Sequence, residues 1–112
     1  MTHPIVERRR AERAEKIALA REYIGTISPS VGIEQAWVVG SVARGDFNVW
    51  SDIDVVVVAR ELPSKSLARA DLFLAKPPGL QIVAYTAAEF ETELEQRNPL
   101  VMETTSVGVP IG

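Results

Sequence analysis

Residues 52–59, Asp-Ile-Asp-Val-Val-Val-Val-Ala, constrain the possible folds more than any other stretch of the chain. Four consecutive valines, stiff at χ1 through β-branching, favour extended backbone over helix. Apolar side chains on both faces of such a strand need cover on both sides, which places it at the centre of a sheet. Only the two aspartates at its start break the apolar pattern. Because Asp52 and Asp54 stand two residues apart, both carboxylates project from one face, the face that Val56 and Val58 continue.

The rest of the chain divides around this strand. Pro4 to Ile27 reads as one helix, with Ile17, Ala20, Ile24 and Ile27 forming an apolar stripe; Gly25 and then Ser28-Pro29 are expected to end it. Ile33 to Val39, bounded by Gly32 and Gly40, reads as a buried strand in which Trp37 is core rather than a platform for stacking a base. Gly40 to Gly45 has room only for a short helical turn before Asp46 to Ser51 loops back. Ser64 to Lys76 reads as a helix with Leu67, Ala70 and Leu74 inward, and Leu80 to Tyr85 as a third strand. Thr86 and Glu89 form the pattern of a capping box, opening a helix whose apolar face carries Phe90 and Leu94 and which Asn98-Pro99 stops. Leu100 to Gly112 holds a further helical turn and a short edge strand ending at Pro110.

At 112 residues the chain suits one domain, with an N-terminal helix (1–27) and a core (33–112). The absence of cysteine excludes disulfides, thiolate zinc sites and cysteine nucleophiles, and fits a cytoplasmic protein. No apolar run is long enough for a membrane span or a signal peptide, so neither insertion nor export is expected. The net charge of −3 is unevenly spread. Residues 1–21 carry six basic and three acidic side chains, so they hold +3 and the remainder −6. With glutamates interspersed, this basic segment reads as a solvated helix face rather than a nucleic-acid surface. His3, the one histidine, falls at a terminus expected to fray.

The chemistry concentrates in Gly40-Ser41 and Asp52-x-Asp54. A strand ending in Gly-Ser and turning directly into a helix presents unpaired N–H groups to an anion, and Gly40 lets a phosphate approach the backbone. Two carboxylates on one strand face repel, and no basic residue lies between them. A divalent cation, magnesium by its preference for carboxylate and phosphate oxygens, is the simplest neutraliser. Arg44 either pairs with phosphate or braces Asp46.

Gly40-Ser41-Val42-Ala43-Arg44-Gly45 followed by Ser51-Asp52-Ile53-Asp54 resembles the minimal nucleotidyltransferases of the DNA polymerase β superfamily. Tyr85-Thr86, Glu89-Phe90 and Asn98-Pro99-Leu100-Val101 are also similar to these proteins. The resemblance, over roughly residues 30 to 112, implies an α+β nucleotidyltransferase fold, a small mixed sheet flanked by helices. It implies Asp52 and Asp54 as catalytic and metal-binding residues, Gly40, Ser41 and Arg44 as nucleotide-binding residues, and magnesium or manganese as cofactor. The implied reaction moves a nucleoside monophosphate, AMP from ATP, to a hydroxyl. The implied partner is a helical HEPN protein in a toxin–antitoxin pair, or a second copy of the chain. The family's third carboxylate falls at Gln81, which points to a weaker alternative: a nucleotide-binding antitoxin with slow or no turnover.

Overall fold

A computed structural model describes residues 3–112; Met1 and Thr2, the first residues of the expected domain, lie outside them. Helix α1 (Pro4–Val31) begins on His3, whose Nδ1 accepts the Ile5 N–H at 3.1 Å, with Pro4 preset for the first turn. His3 therefore caps a helix rather than fraying. Nor does α1 stop at Ile27. It runs through Pro29 and closes on Gly32, in the left-handed region at φ 67°, whose N–H donates to the Ser28 carbonyl at 2.9 Å. Pro29 removes one ladder bond, but the glycine cap and the burial of Val31 just beyond it compensate.

Strands β1 (Ile33–Val39), β2 (Ile53–Ala59), β3 (Leu80–Tyr85) and β4 (Val109–Pro110) form one mixed sheet in the order β3-β2-β1-β4. β1 runs antiparallel to β2 and β4, whereas β2 and β3 are parallel. The valine strand is thus interior, and Val55 to Ala59 are buried on both faces. On one face Ala36, Val38, Val55 and Val57 meet Ile17, Ala20 and Ile24 of α1. The other carries Trp37, Val56 and Val58 under helices α4 (Ala87–Glu95) and α5 (Pro99–Ser106). There Trp37 stacks on Phe90 with ring centroids 5.4 Å apart, as a core residue. Asp54 opens this second face, and that choice of face sets which helix borders it.

Between β2 and β3, helix α3 (Ser66–Leu72) is shorter than expected and turned differently. Leu67 and Leu74 are 84% and 77% exposed and Ala70 is exposed, while Phe73 is buried and Leu72 packs against the core. Arg69 explains the rotation. Its guanidinium reaches inward to the carbonyls of Pro63 and Ala84 and the carboxylate of Glu89, which fixes the side of α3 that faces the sheet.

Glu89 completes the expected capping box on Thr86 and grips Arg69 with both oxygens, at 2.8 and 3.0 Å. The Arg69 guanidinium first, and the Thr86 N–H second, hold its carboxyl down from 4.5 to about 2. A depressed carboxyl stabilises the folded state above its unfolded value and loses that contribution as pH falls through the folded one. Glu89→Gln is expected to cost about 1 kcal/mol at neutral pH, a modest figure because the carboxylate is half exposed and screened. Thermal melts across pH check it: the gap between wild type and variant closes as pH drops from 4.5 toward 2. A gap that stays constant over that window contradicts the assignment.

Candidate active site

β1 ends at Val39, which pairs with Asp54 across the antiparallel ladder, and the next residue turns into helix α2 (Gly40–Arg44). Gly40 makes this turn at φ 71°, in the left-handed region where a β-carbon is costly. A β-carbon there would also fall 2.5 Å from the Asp54 Oδ2, so the backbone of the turn lies directly against that carboxylate. Val39 supplies no side-chain cap, which leaves N–H groups of the first turn without helical partners. Gly45 ends the turn, donating its N–H to the Ser41 carbonyl at 2.9 Å. The Gly40 turn and Asp54, fourteen residues apart in sequence, are thereby brought together.

Asp52 stands immediately before β2 and is exposed; Asp54 lies within the strand and is half-buried. The carboxyl of Asp54 is raised above the usual range, by burial first, then by the charges of Asp52 and Glu103, with Arg44 opposing. Negative charge at this point is therefore only partly balanced by the protein. Both aspartates offer hard oxygen donors, suited to magnesium or manganese. Among the described residues no three His, Cys, Asp or Glu side chains are grouped to hold an ion. Two carboxylates by themselves leave most of an ion's coordination to oxygens from elsewhere.

Glu103, on α5, is the site residue that sequence reasoning missed. Its Oε2 accepts the Gly40 N–H at 2.7 Å and its Oε1 accepts from Arg44 Nη1 at 2.9 Å. With both oxygens engaged, it ties the glycine turn and Arg44 to α5 and adds its charge beside Asp54. Sequence separations of 63 and 59 residues hide these contacts, and nothing in Met102-Glu103-Thr104 marks the glutamate locally. Arg44 also braces Asp46 at 3.3 Å, one of the two roles left open for it. Gln81 is exposed and stands beside Asp54 in the parallel register of β2 and β3, so a neutral amide occupies the expected position of a third carboxylate.

The basic segment of α1 is not wholly a solvated face. Arg13 donates to the carbonyls of Val42 at 2.9 Å and Ala43 at 2.8 Å, and Arg9 to those of Gly45 and Phe47 while lying over the Phe47 ring. A five-residue helix leaves its last carbonyls unpaired; Arg13 satisfies those of Val42 and Ala43, and Arg9 holds the cap residue and the loop beyond it. α1 thus supports the turn that carries Gly40 and Ser41.

A crystal structure of a candidate nucleotidyltransferase from Sulfolobus solfataricus superposes with a TM-score of 0.67 over 91% of this chain and 84% of that one, at 18% identity. At that identity the likeness speaks for the fold. No curated protein matches the sequence. Residues 17–105 match the family of nucleotidyltransferase domains, a span that includes the glycine turn, both aspartates, Gln81 and Glu103. Fold and sequence agree, and the chain belongs to the nucleotidyltransferase domain family.

Proposed function

We propose that this domain transfers AMP from ATP to a hydroxyl in a metal-dependent reaction, the acceptor being a side chain of a helical HEPN-type partner: the hydroxyl oxygen bonds to the α-phosphorus as it loses its proton, and the bond to the β-phosphate breaks to release pyrophosphate. The observation that carries the reading is the contact of the Gly40 turn with the Asp54 carboxylate, which sets the glycine turn directly against one of the two acids. Magnesium or manganese held by Asp52 and Asp54 would supply neutralisation of the phosphate charge. The chain's own residues do the rest. The Ser41 hydroxyl would orient phosphate oxygens, the Gly40 N–H being already held by Glu103, and Arg44, paired with Glu103 and Asp46, stands at the rim.

A partner, or a second copy, is supported by the sheet. β3 is an edge strand of the sheet, and Leu67 of α3 and Leu74 just after that helix are exposed. No helix among the described residues is long and apolar enough to cross a membrane.

Gln81 favours a second reading, in which the chain binds nucleotide and blocks its partner with little turnover. An amide beside Asp54 removes one anionic ligand, which weakens the site for a second ion. One experiment tests both readings: labelled nucleotide from ATP is offered to the protein with its co-purified partner, for wild type and Gln81→Asp. Slow transfer is expected in wild type, with a gain on the order of tenfold for Gln81→Asp, the scale on which ligand-shell changes alter metal sites. Rapid wild-type transfer that Gln81→Asp abolishes contradicts the role given to this position. Label that moves in neither protein, with partner inhibition intact, selects the binding module.

A further inference from the structure

Two large apolar side chains in the loop between α2 and β2 are left in solvent by a loop that is itself well held. Trp50 is 89% exposed and Val49 78%. Around them, Asn48 Oδ1 accepts the Trp50 N–H at 2.8 Å and the Ser51 hydroxyl accepts the Asn48 N–H at 3.0 Å. Such side-chain bonds to the local backbone lock a turn. The indole is thus presented to solvent by a fixed turn, beside a second exposed apolar side chain, as a small apolar patch.

Its surroundings favour a small planar ligand. Trp50 and Val49 border a hollow of about 440 Å³, whose other apolar walls are Leu19 of α1 and the Pro78-Gly79 turn before β3. That volume lies within the usual range for small-molecule sites. Asp52 lines the same hollow and its charge acts on Asp54, so one member of the acid pair borders it. Glu15 and Lys16 stand on the rim, offering an acceptor and a donor to the edge of a ring. A flat ring face on apolar walls, hydrogen-bonding groups at its edge and an adjoining acid pair describe the chemistry of a nucleobase attached to phosphates.

We propose that the Trp50 indole is the stacking wall for the base of the nucleoside triphosphate whose phosphates reach Asp52 and Asp54. The assignment rests on the nucleotide reading of the acid pair, and it gives the domain a means of telling a nucleotide from a bare polyphosphate.

The test is calorimetric titration of the full chain with magnesium–ATP and, separately, magnesium–tripolyphosphate, for wild type, Trp50→Ala and Trp50→Phe. Wild type is expected to bind ATP more tightly than tripolyphosphate. Trp50→Ala should weaken ATP about tenfold, the scale of base–aromatic stacking, and leave tripolyphosphate unchanged. Trp50→Phe should keep most of the preference for ATP. Circular dichroism checks that the variants fold. Equal weakening of both ligands, or no weakening of either, overturns the stacking role while the acid-pair reading survives; the second of these is also what a surface reserved for a protein partner would give. Wild-type protein that binds neither ligand overturns the nucleotide reading itself, and the stacking role with it.

Discussion

Asp54→Asn is expected to lose magnesium binding and to melt at a higher temperature than wild type. The two effects have one cause. Asp54 is half-buried beside Asp52 and Glu103, and its raised carboxyl shows that ionisation there is opposed, by burial foremost. An acid whose folded-state value is raised binds more protons when folded than when unfolded, so stability falls as pH rises through that range and the penalty is fully present above it. Asparagine removes the charge at nearly the same shape. In the absence of metal, the variant should gain about 0.5–1 kcal/mol at neutral pH, a figure limited by solvent screening at a partly exposed site. The same change deletes a ligand, and magnesium affinity should fall on the order of 100-fold or more. Asp52→Asn should also weaken metal and metal–nucleotide binding, because the two carboxylates act together. Titration calorimetry measures the affinities, and thermal melts in chelator measure the stability. Unchanged titrations in both variants would remove the metal site, and a lower melting temperature for Asp54→Asn would show that its charge is compensated after all.

Gly40→Ala is expected to damage fold and site together. The backbone at φ 71° strains any L-residue by about 1–2 kcal/mol, and the added carbon would lie 2.5 Å from Asp54 Oδ2, a distance at which the carboxylate must move. Moving it disturbs the acid pair, while displacement of the turn pulls the Gly40 N–H from Glu103 and loosens Arg44. A loss of about 2 kcal/mol or more in stability should therefore accompany weakened metal–nucleotide binding. Gly25→Ala is the control. Gly25 lies inside α1 with open space at its β-carbon position, so alanine there should stabilise by up to about 1 kcal/mol through helix propensity. Denaturant unfolding of the two variants measures the contrast. Equal stabilities would mean that the Gly40 turn relaxes more readily than its geometry indicates.

The valine strand, the capping box at Thr86 and Glu89, and the Gly40-Ser41 and Asp52-x-Asp54 motifs were legible in the chain because each is a local pattern, whereas the joining of the two motifs came from the family resemblance. β-Branching, alternation and the reach of one side chain to a backbone N–H three residues away act within a few residues. Where such a rule met a tertiary contact, the contact prevailed. Pro29 and Gly25 read as a helix end, yet burial of Val31 and the cap at Gly32 carry α1 onward. Leu67, Ala70 and Leu74 have the spacing of an inward face, but Arg69 reaches Glu89 from a different side of α3 and turns them to solvent.

By itself, then, the sequence determined a mixed-sheet domain with a buried central strand, an acid pair and a glycine turn, since periodicity and turn chemistry are written in neighbouring residues. Tertiary packing settled that Glu103 anchors the turn, that Arg13 closes the end of α2 while Arg9 holds the loop beyond it, and that Trp50 borders a hollow reaching Asp52. These contacts join segments up to 63 residues apart. They depend on which faces of separate elements meet, and no spacing along a single element encodes that choice.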